Sequence, residues 1–356
     1  MRFVRIDQTE PGMVVARPIY GAYGVLLLGK GNPLNPRQIL GLKQLGYPGV
    51  YIEDIHSKNI ELEEVVDEGM RRSAIAIVKE MFEKGPQAKA FKNEQMYITA
   101  NTIVSEIVDH VFDSNLSVLN IPLMKNFDDY TYQHSVDVTI LCIMIGKGMG
   151  LAKSMIVDLG IAAFLHDMGK MFVPKSILNK PSKLSADEFE VMKRHSEYGY
   201  DFAREVLKQP DIISKTILHH HERFDGTGYP HQKKGKAIPL LSRIISVADV
   251  FDAIGAPRIY KKAQLATEGY EYILANSGKH FDPEVVDVFK RTIAPFPVGL
   301  TVRLSDGRPA VVIRNHPSFM MRPYVRAFDP DYPRGYEYID MAHDIESLHI
   351  TIVGTT

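Results

Sequence analysis

The stretch HHHERFDGTGYP places three histidines, His219 to His221, directly before a loop that contains two glycines and ends at Pro230. Imidazole nitrogens are among the commonest metal ligands in proteins. Neighbouring side chains on a helix point about 100° apart, so all three rings can face one ion only where a helix ends. We therefore expect two of these three histidines to bind a metal ion.

Other side chains of the same ligand type are distant in the sequence but fall on predicted helices or at their ends: His134, His166, Asp167, His195 and Asp249. Asp167 follows the apolar run IAAFL and Asp249 lies within IISVADVFDAI, where an isolated carboxylate would be costly to bury. A metal cation offsets that cost, and imidazole combined with carboxylate suits Fe, Mn or Zn. The whole set of six histidines and two aspartates exceeds the needs of one ion, so we predict two ions that share a bridging Asp167.

Each of these residues also has an ordinary structural explanation. A single histidine such as His134 more often makes a hydrogen bond within a helix, and His195 in MKRHSEYG could be solvated. Asp249 and Asp252, one turn apart, could form the acidic face of a helix. The triple histidine is the feature that is hardest to explain without a ligand.

The composition limits the partners and the location. The 356 residues include 42 Lys and Arg and 43 Asp and Glu, so the net charge is −1 and no nucleic acid polymer is expected as a partner, although a small anionic ligand is compatible. The single cysteine, Cys142, excludes an intramolecular disulfide and lies in the apolar run VTILCIMIG, where we expect a buried, inert thiol. No signal peptide and no charge-free apolar run of about 18 residues is found, so we expect a cytoplasmic protein without a membrane span.

The elements that would position the ligands lie between two smaller segments. Residues 1–58 predict a small α+β domain, with strands in RFVRI, MVVARPIY, GVLLLG and GVYIED around a helix that Asn35 caps and that ends near Gly46. Residues 59–94 predict a connecting helix, because apolar residues recur at helical spacing. Residues 293–356 predict a β-rich extension with a hairpin at Asp306-Gly307.

Residues 95–292 read as successive helices, so the predicted fold is mainly α with a helical bundle as its core. Helices fit the segments TYQHSVDVTILCIMIGKG, KSMIVDLGIAAFLHDMGK and LLSRIISVADVFDAIG. Another helix has a clear start, because Ser185 and Glu188 form a capping-box pattern.

Taken in order, these motifs resemble those of the HD-GYP family of metal-dependent phosphohydrolases. HDMGK is similar to the HDxGK signature and HHERFDGTGYP to HHExxDGxGYP, and VPKSILNKPSKLS, RIISVADVFDA, RIYKKA and GKHFDPEVV also match the family pattern. The resemblance covers roughly residues 95–292. It implies an HD-type helical bundle and a phosphodiesterase that converts cyclic di-GMP to pGpG and then GMP.

The resemblance also implies roles for individual residues. The metal ligands would be His134, His166, Asp167, His195, His220, His221 and Asp249. His219 has no counterpart, and we expect it beside the ligands or exposed to solvent. The phosphate contacts would be made by Lys170, Arg258 and Lys261, and the loop of Gly228, Tyr229 and Pro230 would face the substrate.

Two positions depart from the family pattern. Some members carry a glutamate where this chain has Tyr130, and that glutamate helps to hold a third metal ion. We therefore expect two ions, Fe or Mn, rather than three. The segment GAPRIY lacks the usual acidic residue before Arg258 and the usual proline after it, although Arg258 and Tyr260 are retained.

The residues suggest a hypothesis for the reaction. A hydroxide held between the ions near Asp167 would attack phosphorus in line. Lys170, expected one helical turn after His166 on the same side of the helix, would place its charge against a phosphate oxygen, and Arg258 would grip the phosphate through two donors. Tyr229 could stack on a guanine or donate its hydroxyl, or it could only pack the loop against the bundle.

Other functions are compatible with the same motifs. The enzyme could act on cyclic GMP-AMP, or it could be a nucleotide phosphatase of the wider HD superfamily. It could also be a weakly active cyclic di-GMP receptor or scaffold. A homodimer, signalling partners such as diguanylate cyclase (GGDEF) proteins, the identity of the metal and the signal read by residues 1–58 remain open.

Overall fold

The computed structural model describes residues 1–21, 25–62, 64–84, 94–114, 116–120, 130–255, 266–329 and 332–355. Arg258 and Lys261, which were expected to contact phosphate, lie outside the described residues, and so does the side chain of Tyr130.

The N-terminal region forms five short strands and one helix: β1 (Arg2–Arg5), β2 (Val14–Val15), β3 (Ile19–Tyr20), β4 (Leu26–Leu28), α1 (Pro36–Gln44) and β5 (Gly49–Glu53). The order β1-β5-β2 makes an antiparallel sheet, and β3 pairs with β4. The run MVVARPIY gives two strands rather than one, and Pro18, which has no N–H to donate, lies between them. Asn35 caps α1 by accepting from the Gln38 N–H, as predicted.

The helical region contains eleven described helices: α2 (Glu68–Lys84), α3 (Glu94–Asp113), α4 (Tyr130–Gly148), α5 (Lys153–Leu165), α6 (Lys175–Leu178), α7 (Ala186–Lys193), α8 (His195–Asp201), α9 (Asp211–Leu218), α10 (Leu240–Gly255), α11 (Ala266–Ala275) and α12 (Pro283–Thr292). The centre of the bundle is α4, which packs against α5 and α10. α5 is buried along most of its length, because its apolar residues occupy nearly every face. The predicted capping box of Ser185 and Glu188 begins α7.

The C-terminal region forms one antiparallel sheet of five strands: β6 (Thr301–Leu304), β7 (Pro309–Arg314), β8 (Tyr324–Asp329), β9 (Tyr332–Asp340) and β10 (Ile352–Thr355), in the order β10-β6-β7-β8-β9. The predicted hairpin lies between β6 and β7, where Gly307 has a φ of +92°. This sheet packs on the N-terminal region, since the Phe3 N–H donates to the Gly299 carbonyl at 2.7 Å.

The predicted fold class is confirmed: the chain is mainly helical, with a small α+β region before the bundle and a β-rich region after it. The domain boundaries stay predictions. Within the described residues, no helix has both the length and the apolar character needed to cross a membrane.

Candidate metal centre

Five helices bring the predicted metal ligands together from distant parts of the sequence. His134 lies in the second turn of α4, and Asp249 lies in α10. The others lie at helix ends: His166 and Asp167 directly follow α5, His195 begins α8, and His220 and His221 follow α9. A helix therefore does end at the triple histidine, as the geometry of three adjacent imidazoles required.

The segment after α5 differs from the prediction. The helix was expected to continue through Lys170, but α5 ends at Leu165 and residues Met168–Phe172 form a 3-10 helix. Lys170 is therefore not one α-helical turn beyond His166. Its Nζ nevertheless reaches Asp167 Oδ2 at 2.5 Å.

A glycine explains how this segment approaches α8. A Cβ on Gly169 would lie 1.8 Å from the carbonyl oxygen of His195, so only glycine fits in the HDMGK motif at this position. This contact brings the start of α8, and with it the His195 ring, close to Asp167.

Three of the histidines share one hydrogen-bond pattern. Each Nδ1 lies near the backbone carbonyl three residues earlier, at 2.7 Å in His166, 2.7 Å in His195 and 2.6 Å in His220. A carbonyl can only accept, so Nδ1 must carry the proton and the Nε2 lone pair is available to a cation. The geometry fixes the tautomer that a metal ligand needs.

His134 is oriented by a carboxylate instead. Its Nδ1 lies 2.8 Å from Asp252 Oδ2, and its Nε2 lies 3.1 Å from Asp249 Oδ1. Asp252 was not predicted to belong to the site. Its signal in the sequence is a second acid one turn after Asp249 in an apolar helix, a pattern that is also compatible with an acidic helix face.

The ligand atoms form two overlapping groups that share Asp167. One group contains Asp167, His195, His220 and His221, and the other contains His134, His166 and Asp167, with the ligand atoms of each group within 4.8 Å of one another. His195 Nε2 lies 3.1 Å from His221 Nε2. A third group, of His166, His220 and Asp249, connects the other two.

The His166 ring supports the fit of a cation. Its Nε2 is buried and has no hydrogen-bond partner among the described residues. An unsatisfied buried nitrogen costs free energy unless a ligand binds to it. The donor set of imidazoles and carboxylates therefore fits a divalent transition metal.

The protonation states of His195 and His221 also fit a bound metal ion. Burial lowers the pKa of His195 to about 4, although the charge of Asp167 opposes the shift. Burial and the neighbouring His195 lower the pKa of His221 to about 3. These imidazoles are therefore neutral near pH 7, which is the form that binds metal.

The carboxylates remain ionised despite their burial. Burial alone would raise the pKa of Asp167, but Lys170 and the surrounding imidazoles outweigh it and hold the pKa well below its usual range. Burial would also raise the pKa of Asp249 and lower that of His134. The hydrogen bonds and charges of Asp249 and Asp252 together outweigh burial and raise the pKa of His134 to about 9. His134, together with His221 and His166, lowers the pKa of Asp249.

The loop that contains Gly228, Tyr229 and Pro230, here called the GYP loop, folds back over the histidines. Glu222 is buried and accepts from the backbone N–H groups of His231 at 2.8 Å and Lys233 at 3.0 Å. A Cβ on Gly228 would lie 2.3 Å from the Arg223 nitrogen, so the loop closes only with glycine there. The Tyr229 ring then packs on His221, with 4.8 Å between their centroids.

His219 points away from the ligand groups. It is buried, so the alternative that it is exposed is wrong. Its Nδ1 lies 3.7 Å from Glu222 Oε1, on the side of the GYP loop.

A pocket of about 1040 Å³ opens over the ligands. Asp167, His195, His221 and Asp249 lie at the end of the pocket that contains the candidate ligands, and its walls include Lys170, Tyr229, Glu268 and Tyr272. Of the three predicted loop residues, Tyr229 lines the pocket. Gly228 closes the loop, and Pro230 follows Tyr229 through a cis peptide bond.

Known proteins are similar in sequence to part of this chain. Residues 118–285 match the HD domain family. A cyclic di-GMP phosphodiesterase of Pseudomonas aeruginosa is 39% identical over 229 residues, which cover 64% of this chain and 55% of the relative. A cyclic di-GMP phosphodiesterase of Thermotoga maritima is 33% identical over 241 residues, which cover 67% of this chain and 64% of the relative.

A relative with a different stated substrate is also similar. The 3'3'-cGAMP-specific phosphodiesterase 2 of Vibrio cholerae is 39% identical over 159 residues, which cover 44% of this chain and 30% of the relative. The chain thus spans between 30% and 64% of the length of these three relatives.

Proposed function

We propose that the chain is a metal-dependent phosphodiesterase of the HD domain family that hydrolyses cyclic di-GMP to pGpG, GMP or both. Residues 118–285 match this family, and the motifs resemble those of its HD-GYP branch. The observation that carries the proposal is the set of inward-facing Nε2 atoms around an ionised Asp167. A mononuclear or purely structural site would not need two ligand groups that share one carboxylate.

The two ligand groups support an assignment of the metal positions. In this proposal His195, His220 and His221 would hold one ion, and His134, His166 and Asp249 would hold the other. Asp167, which belongs to both groups, would be shared by the two ions. We favour Fe or Mn because both accept mixed imidazole and carboxylate ligands. When bound, such a pair polarises phosphate oxygens and lowers the pKa of a coordinated water.

The side chains of this chain orient the substrate. The Lys170 ammonium lies at the pocket wall against Asp167, where it can contact a non-bridging phosphate oxygen and stabilise the charge that develops on it. Asp167 is held ionised and cannot serve as an acid. Arg258 and Lys261 are proposed as further phosphate contacts.

Tyr229 has a defined place in this proposal. Its ring lies against His221 and its phenol lines the pocket, and burial raises the pKa of the phenol, so that it stays protonated. A protonated phenol can donate to a phosphate or to a base. In the same position, Tyr229 also packs the loop against the bundle.

A second candidate substrate is cyclic GMP-AMP. The pocket that we describe does not distinguish guanine from adenine by itself, and one similar protein is named as specific for 3'3'-cGAMP. A receptor with slow turnover is the third alternative. The homodimer, the diguanylate cyclase partners and the cytoplasmic location stay predictions.

The test is an assay of the anaerobically purified protein against cyclic di-GMP, 3'3'-cGAMP and cyclic di-AMP, with products separated by chromatography and metal content measured on the same samples. We expect linear products from cyclic di-GMP and their loss, together with most of the metal, in the His166→Ala/Asp167→Ala variant. The exposed His110→Ala variant is the matched control. Full activity in the double variant would refute the proposed site. Turnover of cyclic GMP-AMP alone would show that cyclic GMP-AMP, and not cyclic di-GMP, is the substrate.

A further inference from the structure

A second cluster of metal-ligand side chains lies in the C-terminal sheet, apart from the helical centre. It consists of His316, Asp340 and His343, whose ligand atoms lie within 4.8 Å of one another. His316 Nε2 is 3.0 Å from Asp340 Oδ1, and His343 Nδ1 is 3.1 Å from Oδ1 and 3.3 Å from Oδ2 of the same carboxylate. The two imidazole rings are nearly perpendicular, at 84°.

The strand register brings these three residues together. Arg314 at the end of β7 pairs with Tyr324 in β8, and Tyr324 pairs with Asp340 at the end of β9. His316 lies two residues beyond β7 and His343 in the turn that follows β9. The sheet thus places both histidines at the same end of these strands, next to the Asp340 carboxylate.

Arg322 holds the backbone around the cluster. Its guanidinium donates to the carbonyls of Met341, Ser347, Leu348 and Ile350, all in the segment that follows β9. The arginine itself belongs to the β7–β8 loop, so it ties that loop to the segment that carries His343. The site is therefore preformed, which reduces the conformational cost of binding a ligand.

Hydrogen bonds within the cluster do not satisfy all of its polar atoms. Asp340 Oδ1 already accepts the backbone N–H groups of Ala342 and His343, both at 3.2 Å. Two imidazole nitrogens crowd the same carboxylate. His316 Nε2 is buried and lies 3.0 Å from Asp340 Oδ1, but the two atoms are not aligned for a hydrogen bond, and the part of the chain that the structure describes offers no other partner.

The separations suit coordination by one ion. In tetrahedral coordination, ligand atoms about 2.0–2.2 Å from Zn²⁺ lie roughly 3.3–3.6 Å from one another, so the separations of 3.0 and 3.1 Å found here need only a small adjustment. Burial lowers the pKa of His316, which keeps its imidazole neutral, although Asp340 opposes the shift. Burial would raise the pKa of Asp340, but its contacts with His343, His316 and the Ala342 N–H together outweigh burial and lower the pKa.

The charged groups around the cluster have opposing effects on the binding of a cation. The Asp340 carboxylate attracts a cation, whereas the guanidinium of Arg314, placed over the Tyr324 ring at 5.3 Å, opposes it. His343 is exposed, so an ion held there would keep an open position for water. Two imidazoles and one carboxylate form a donor set that selects Zn²⁺ and related ions over Mg²⁺ or Ca²⁺.

We propose that His316, Asp340 and His343 bind a divalent transition-metal ion of the Zn²⁺ class at a site separate from the helical centre. The ion joins the loop after β7 to the turn after β9, and it leaves coordination positions open to solvent. This inference goes beyond the proposed phosphodiesterase function and does not depend on it.

The test compares Zn²⁺ binding to the full chain and to matched variants. His343→Ala removes an exposed ligand, and Asp340→Asn removes the charge while its amide oxygen still accepts the backbone N–H groups. The control is His349→Ala, another exposed histidine of the same region. After dialysis against micromolar Zn²⁺, metal analysis should give one equivalent less in the two ligand variants than in the wild type and the control.

A local readout separates this site from the helical one. In ¹⁵N-histidine spectra, Zn²⁺ should shift the ring signals of His316 and His343 but not that of His349, with an affinity at least about tenfold weaker in Asp340→Asn. Circular dichroism without metal checks that each variant folds. Equal Zn²⁺ content in all four proteins, or unshifted His316 and His343 signals, would overturn the proposal whether or not the enzyme turns over a cyclic dinucleotide.

Discussion

The Asp252 carboxylate lies 2.8 Å from Nδ1 of His134 and is almost fully buried. It orients one imidazole without belonging to either ligand group. His166, His195 and His220 obtain the same orientation from backbone carbonyls, which no side-chain substitution can remove. The orientation of His134, in contrast, can be tested by a single mutation.

We expect Asp252→Ala to weaken metal binding about 10- to 100-fold, because His134 loses both its orientation and a neighbouring negative charge. Asp252→Asn should have a smaller effect, since its amide oxygen can still accept from Nδ1. The measurement is phosphodiesterase activity as a function of Mn²⁺ concentration, and excess Mn²⁺ should restore most of the activity of both variants. The exposed Asp287→Ala is the control, and a metal dependence of Asp252→Ala equal to that of this control would contradict the assignment.

At the scale of elements, the GYP loop depends on close backbone contact. The position of Gly228 leaves no room for a side chain, because its hypothetical Cβ would lie 2.5 Å from the Glu222 Cα. The same contact places Tyr229 on His221. The loop and the metal ligands are therefore parts of one local structure.

Gly228→Ala should lower the free energy of unfolding by about 1–3 kcal/mol, because backbone atoms cannot yield as a flexible side chain can. It should also weaken metal binding, since His221 moves with the loop. Gly41→Ala is the control: it lies in α1, nothing lies within 4 Å of its added Cβ, and alanine should stabilise the helix by about 0.5–1 kcal/mol. Urea denaturation measures both, and equal stability of the two variants would contradict the close-contact explanation.

Element prediction succeeded where the signal was local. The helix α10 begins and ends where LLSRIISVADVFDAIG predicted, and the capping box of Ser185 fixed the start of α7. The end of α5 was missed, because no local stop signal stands at Leu165. The early end of this helix coincides with a tertiary contact, the approach of Gly169 to the His195 carbonyl.

The convergence of the ligands was predicted through their chemical types rather than through any distance along the chain. Buried aspartates in apolar helices required a cation, and the triple histidine required a helix end. The position of Asp252 was not predicted, because its contact with His134 joins residues 118 positions apart. Such pairings leave no periodic signal in a single sequence.

At the scale of the whole molecule, the two ends of the chain pack together. Phe3 and Tyr51 share a buried cluster with Val302 and Val325 of the C-terminal sheet. Arg326 of β8 donates to the carbonyls of His56 and Lys58 at 3.0 and 2.9 Å. The connecting helix α2 contacts the bundle through an ion pair between Arg71 and Asp137, one turn after His134.

Removal of the metal should be visible in the stability of the whole protein, because the centre joins five helices of the bundle. Without ions, several buried imidazoles face one another and two ionised aspartates. A ligand present at about 100 times its Kd stabilises the native state by about 2.7 kcal/mol. We therefore expect chelation to lower the melting temperature of the helical region by several degrees and Mn²⁺ to restore it. The experiment is best done by calorimetry in the His343→Ala variant, so that the proposed second site does not contribute. Asp167→Ala should show little response to either treatment, and a wild-type centre whose melting is unchanged by chelation would show that no bound ion stabilises this cluster.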